Sequence, residues 1–269
     1  MPVKDLLCHI CARIRALLLA IACPMTVQTN QNTGLLRLIA CLSMLSDHAG
    51  KMLFSHYPVM RQFGRLAFPL FAYGIAVGAV YTKNQTKYLS RVVLSALICQ
   101  PLYAVALAHT NRAMYALSFL EHPIGAFIQF YMNSWQKPSI LFSLSLGLLL
   151  ILCLRNRQWV LALGVYILCH RISGRLDYGI NGIHLMLLMY LLCEHPAVCF
   201  CAIFSFMYGW AAQGSGYTLF GQRFGLQVFA LPAAALCCLP MRRNLRMPRW
   251  FIYGFYPAHL IFILILCRI

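Results

Sequence analysis

The apolar residues of this chain fall in runs of about 16 to 20, separated by short polar breaks, and that is the length a tilted helix needs to cross a bilayer. A chain of 269 residues with 61% hydrophobic and 10% charged residues carries more apolar surface than a water-soluble core of this size can hide. The pattern predicts spans over residues 35 to 54, 66 to 82, 89 to 108, 139 to 154, 159 to 170, 179 to 193, 196 to 212, 224 to 240 and 250 to 267. The fold class is therefore all-α, a polytopic transmembrane bundle of about 8 to 10 helices.

Charge sets the orientation. The 22 Lys+Arg outnumber 5 Asp+Glu, for a formal net charge of +17. The basic residues cluster in the connections, where they orient spans and meet anionic headgroups, so nucleic acid is not implied as a partner. With residue 34 cytoplasmic, alternation puts Lys83, Lys87 and Arg91 inside, then Arg155 and Arg157, then Arg242, Arg243, Arg246 and Arg249. Residues 114 to 132 carry Glu121, His122 and Pro123 in mid-run. A span there would invert every later loop, so the piece reads as re-entrant or interfacial on the outer side. Leu17 to Ala22 follows Arg13 and Arg15 and reads as part of an interfacial amphipathic segment, and Met25 to Gly34 as a polar connector. Residues 1–33 are thus a leading segment and 34–269 the membrane domain. The 13 cysteines are scattered through apolar runs. Cys8, His9 and Cys11 have no second pair at zinc spacing, and no metal is expected.

Ionisable groups inside apolar helices are costly and mark function by default. Asp47 and His48 sit some thirteen residues into the first span, about 20 Å from its cytoplasmic end. Asp47 has Lys51 as a partner at i+4, or Arg65 from the next span. Arg65 and Asp177 lie at the same outer level, with Arg65 free to snorkel and Asp177 free to cap a helix. His259, after Tyr256 and Pro257, lies about 14 Å into the last span, and His184 lies within the sixth. A polar cavity open to the outer side, with His259 deeper along it, satisfies them together.

Six stretches carry a family likeness: Leu36 to Gly50 (LRLIACLSMLSDHAG), Gly64 to Gly74 (GRLAFPLFAYG), the Lys87-Tyr88-Leu89-x-Arg91 block, Leu141 to Leu149 (LFSLSLGLL), Asp177 to Gly182 (DYGING) and Tyr256-Pro-Ala-His259-Leu. In this order they resemble the TraX family, whose members acetylate the N-terminus of conjugative pilin, and the likeness runs from about residue 34 to 267. The resemblance implies kinship with transmembrane acyltransferases that take an acyl group from cytoplasmic acyl-coenzyme A. It implies a bacterial inner-membrane N-acetyltransferase with acetyl-coenzyme A as donor and pilin as acceptor. It also implies His48 as catalytic histidine with Asp47 orienting or charge-balancing it, and Arg65, Asp177, Tyr178 and His259 lining the site. Acetylating an amine requires a base, which imidazole supplies near neutrality, unless His48 itself carries the acyl group. Other readings are an acyltransferase for an exported sugar or polymer hydroxyl, a proton-coupled transporter, and a non-enzymatic pilus assembly factor.

Overall fold

The computed structural model describes residues 5, 8–13, 16, 24, 26–108, 122–241 and 245–267. Glu121, His109, Arg242 and Arg243 lie outside the described residues, as do most of residues 1–25 and the first part of the piece 114–132. Between Thr33 and Leu266 the described residues form eleven α-helices. These are α1 (Thr33–Met52), α2 (Pro58–Gly64), α3 (Ala67–Tyr81), α4 (Gln85–Tyr103), α5 (Pro123–Ser134), α6 (Ile140–Arg155), α7 (Trp159–Arg171), α8 (Gly179–Leu191), α9 (Pro196–Ala212), α10 (Pro232–Cys238) and α11 (Arg249–Leu266). The chain is mostly helical. Two stretches, Pro58–Tyr81 and Gln85–Leu107, are long and apolar enough to cross a membrane, and further helices are apolar but shorter.

Eight of the nine expected spans match a helix to within a few residues. The exception is 224 to 240. Hydropathy reads it as one run, but the backbone there breaks into the end of a short strand (Gln222–Phe224), a 3-10 turn at Leu226–Ala230 and the two-turn α10. Gly225 is extended and Pro232 begins α10, in the first turn where Pro is best accommodated. A second departure from all-α is the antiparallel hairpin of β1 (Tyr217–Leu219) and β2 (Gln222–Phe224), with Thr218 opposite Arg223. Within the piece 114–132, residues 123 to 132 are helical and belong to α5.

The third correction concerns the polar connector. Thr29 and Asn30 are fully buried, because the strap before α1 threads between helices and many of its polar groups are paired. Gln28 and Thr29 N–H donate to the Cys193 carbonyl, and Asn30 N–H to that of Cys237. Asn30 Nδ2 donates to Leu236 O at 2.8 Å, while the Tyr73 hydroxyl reaches Thr29 Oγ1 and Asn30 O at 2.6 and 2.7 Å. Asn32 then caps α1 by accepting from Leu35 N–H, and accepts from Leu245 N–H at 2.9 Å.

Helix α3 is the centre of the packing, in contact with α1, α6, α8 and α10. Its Ala72, Ala76 and Ala79 are fully buried, and such small residues let helix backbones approach closely. Around it sit Leu36, Tyr73, Leu148, Met186, Met189 and Ile203. Pro101 in α4 removes one N–H from the ladder, which frees the Leu97 carbonyl; Tyr131 of α5 donates to it at 3.2 Å. Beyond Pro101 the helix continues as a π-turn, Ala104–Ala108.

The connections sort to two ends. Gln85 and Asn156 exchange hydrogen bonds, and Arg155 Nη1 donates to Thr82 O at 3.0 Å, so loops 82–84 and 156–158 share an end. The strap ties 193–194 and 237–245 to one another, and Arg37, Arg91 and Tyr253 line one cavity beside them. Asp47, Arg65, Leu107 and Asp177 come together toward the opposite end.

Candidate active site

Asp47 and His48 occupy the fifth turn of α1, where an Asp faces one neighbour and the following His another. Asp47 meets α2. The approach is close because residue 64 is Gly: a Cβ there would lie 2.7 Å from Asp47 Cα and collide with the Asp47 side chain. One residue on, Arg65 Nη2 forms an ion pair with Asp47 Oδ1, and both side chains are largely withdrawn from solvent, at 14% and 17% exposure. Arg65 Nε also donates to Arg61 O at 3.4 Å. A buried charge needs such a partner. Arg65 therefore does not snorkel, and Asp47 takes Arg65 rather than Lys51, whose ammonium donates to Leu107 O at 3.2 Å in the π-turn of α4.

Phe68 follows Arg65 by three residues, in the first turn of α3. Its ring stacks on Tyr178 at a centroid distance of 3.9 Å and an interplanar angle of 10°, and Trp210 of α9 sets its edge against both. Tyr178 precedes α8, which starts at Gly179 with φ +56, a conformation costly for any residue bearing a Cβ. That turn aims Asp177 and Tyr178 at the helix pair α1/α2. A cavity of about 160 Å³ results, whose walls include Asp47, His48, Lys51, Arg65, Asp177 and Tyr178. Asp177 stays open to solvent through the cavity. Enclosure by the surrounding elements pushes its carboxyl above the usual range, against Arg65 and Lys51, which pull it down.

His48 turns away from Asp47 toward α11. Its Nδ1 lies 2.8 Å from His259 Nε2, the two rings stacking at 5.0 Å, and His259 Nδ1 lies 2.8 Å from the Phe255 carbonyl. With both imidazoles neutral, the proton positions are assigned from their partners. A carbonyl only accepts, so His259 Nδ1 carries its proton and its neutral Nε2 accepts; His48 Nδ1 must then donate, leaving the lone pair on His48 Nε2. His259 is 4% exposed and does not line the cavity. It acts on the cavity through His48. Of the roles expected of Asp47, orienting or charge-balancing His48, the geometry shows no direct contact with His48, since Asp47 is engaged with Arg65; His259 holds His48 from behind and does not line the cavity.

The cavity thus gathers Asp47, His48, Arg65, Asp177 and Tyr178, with His259 one shell out. Sequence reading left Lys51 as a mere ion-pair option and passed over Tyr103 and Leu107, which also line the cavity. The Pro101 that precedes the π-turn was the signal for the last two. His184 lies elsewhere, 3.0 Å from the Tyr166 hydroxyl. Among the described residues no group of three or more His, Cys, Asp or Glu is arranged to hold a metal ion.

No solved structure matches the chain. A protein described as a probable fimbrial assembly protein, FimC of serogroup H1, from Dichelobacter nodosus is 28% identical over 126 residues. That alignment takes in 45% of this chain and 46% of the relative, so it spans less than half of either. The family model of the TraX protein matches residues 32–268, which takes in every element from α1 to α11 and all six residues just described. The chain belongs to the TraX family.

Proposed function

We propose that this chain is a multi-pass protein of the bacterial inner membrane that transfers an acetyl group from acetyl-coenzyme A to the N-terminal amine of a pilin. The observation that carries the reading is the base at the cavity wall: a histidine whose second nitrogen is tied up by His259 and whose Nε2 lone pair is left for chemistry. Family membership and the fimbrial assembly relative support a pilus-related acceptor.

Multi-pass insertion is supported by the outward faces of the helices. Ile98 on α4, Ile124 on α5 and Val160 on α7 are 71%, 76% and 87% exposed, and Phe204 on α9 and Phe262 on α11 are exposed as well. Water would penalise so many apolar side chains on adjacent helices, whereas lipid would not. In this placement the end bearing Lys83, Lys87, Arg155 and Arg157 is cytoplasmic, and the His48 cavity lies in the outer half of the bilayer.

In the proposed step the neutral amine attacks the thioester carbonyl carbon, and the carbonyl π electrons move onto oxygen. Arg65, held by Asp47, offsets the charge that develops there. His48 Nε2 takes the proton the amine sheds, while His259 Nε2 continues to accept from His48 Nδ1 and spreads the positive charge. When the tetrahedral intermediate collapses, the C–S bond breaks and the thiolate leaves with the proton from His48. The products are the N-acetyl amide and free coenzyme A.

The test is the intact mass of a candidate pilin coexpressed with this chain. The mass of one acetyl group should be added in the presence of wild type and lost with His48→Ala, a variant expected to insert normally because Ala is cheaper than His in lipid. Identical pilin masses with and without the chain would refute the reading.

A further inference from the structure

A second cavity, about 240 Å³, lies on the cytoplasmic side of the His48 cavity and plays no part in the chemistry above. The two share Met44, Phe71 and Ile140, so these apolar side chains are a partition between adjoining chambers. The charge patterns differ sharply. Among the described residues, the charged side chains lining the larger chamber are Arg37 of α1 and Arg91 of α4, both half-buried, and no acid lines it. Among the described residues, neither guanidinium has an ion pair or hydrogen-bond acceptor. Two like charges facing one partly desolvated space without an anion are unfavourable, and a guanidinium's forked donors match phosphate oxygens.

Beyond the arginines the chamber is mostly apolar, walled by Cys41, Ile75, Val92, Leu141 and Leu144 with the hydroxyls of Ser95 and Tyr256 among them. Residue 74 contributes no side chain to it; a Cβ there would meet only Arg37 Nε, at 3.7 Å. Along α1, Arg37 stands about 16 Å from His48, eleven residues at 1.5 Å each. A ligand suited to this space has phosphates at one end and a thin, uncharged arm that carries its reactive end past the partition.

We propose that the chamber is the donor site: Arg37 and Arg91 hold the phosphates of coenzyme A, and its arm runs past Gly74 to the aperture formed by Met44, Phe71 and Ile140. The identity of the arm rests on the acetyl-transfer reading. The phosphate site rests on the arginines alone.

The probe is coenzyme A, titrated calorimetrically into the full chain in phosphatidylcholine nanodiscs, with pyrophosphate, phosphate-free pantetheine and phosphatidylglycerol nanodiscs as companions. Coenzyme A should bind more tightly than pantetheine. Arg37→Gln and Arg91→Gln should each weaken it about 10- to 100-fold, the loss of a charge-assisted hydrogen-bond set. Gly74→Leu should exclude coenzyme A yet leave pyrophosphate binding within about threefold, which keeps the idea testable if an arginine variant does not fold. His48→Ala should bind coenzyme A as wild type does. Equal affinity for coenzyme A and pantetheine, or affinity unchanged by both arginine variants, overturns the proposal. Competition by phosphatidylglycerol that abolishes coenzyme A binding assigns the arginines to a lipid headgroup and overturns it too. Intact coenzyme A binding with no acetyl transfer by wild type would sink the acetyl-transfer reading and leave the phosphate site standing.

Discussion

The two chambers along α1 handle charge in opposite ways. Around His48 three of the charges have an internal partner or acceptor close by: Asp47 has Arg65, Lys51 has the Leu107 carbonyl, and Asp177 faces both cations, while Arg61 at the rim keeps a buried Nε without an acceptor among the described residues. Around Arg37 and Arg91 no counter-charge is found among the described residues. A site whose charges are balanced by its own residues is preorganised for chemistry, since little must rearrange when charge develops. A site left unbalanced is waiting for its counter-charge, and that is a property of binding. The partition of Met44, Phe71 and Ile140 keeps the two apart.

The comparison breaks most visibly at the Asp47–Arg65 pair. Arg65→Met leaves a carboxylate withdrawn from water without its partner, and should destabilise the chain by about 3–5 kcal/mol. Adding Asp47→Asn to Arg65→Met should recover most of that stability but not the acetylation, because the charge that offsets the oxyanion is gone. Thermal unfolding in detergent separates the two effects. In the other chamber Arg37→Met should cost no stability, and a large loss there would mean that Arg37 is internally paired after all.

His259 sharpens the claim that one chamber is preorganised. It acts on His48 as a positioning residue, so His259→Ala should slow acetylation about 10- to 100-fold while leaving coenzyme A binding unchanged, the scale seen when an orienting outer-shell partner is lost. His259→Gln should restore part of the rate, since an amide oxygen can accept from His48 Nδ1. A purely structural role for His259 would be betrayed by equal effects of Ala and Gln on rate.

Before α1 the strap is held by hydrogen bonds to the ends of other helices. Asn30→Ala strips the Leu236 carbonyl and the Asn32 N–H of their partners, and should cost about 1–3 kcal/mol. Unfolding midpoints of the variant against wild type check it.

Much of this was legible in the sequence, for physical reasons. Hydropathy runs locate helices because lipid and a packed interior both demand apolar residues, and α1, α3, α6 and α9 fall where the runs do. The same measure is blind to backbone chemistry, so Gly225 and Pro232 broke a run it read as continuous. It is also blind to satisfied polar groups, so a buried strap of Thr29 and Asn30 looked like an exposed connector. Asp47, His48, Arg65 and Asp177 stood out because ionisable groups in apolar helices are costly. Which pairs with which was not legible, since His48 and His259 are 211 positions apart and only the fold of α11 against α1 joins them.

The smallest expected effect belongs to Asp177. Its folded-state carboxyl is raised, so its contribution favours the fold below the ordinary carboxylate range and is lost as pH rises through the raised value. Asp177→Asn should therefore be slightly more stable than wild type at neutral pH, with the difference vanishing on acidification. Unfolding midpoints from acidic to neutral pH give the sign.

The most direct test of the account is a reconstituted transfer: the purified chain in nanodiscs, acetyl-coenzyme A bearing an isotopically labelled acetyl group, and a pilin with a free α-amine. Wild type should place labelled acetyl on the pilin α-amine, and His48→Ala should do so about 10²- to 10⁴-fold more slowly, the range for loss of a general base. Labelled pilin formed as fast by His48→Ala as by wild type, or not formed by wild type while coenzyme A binds, would contradict it.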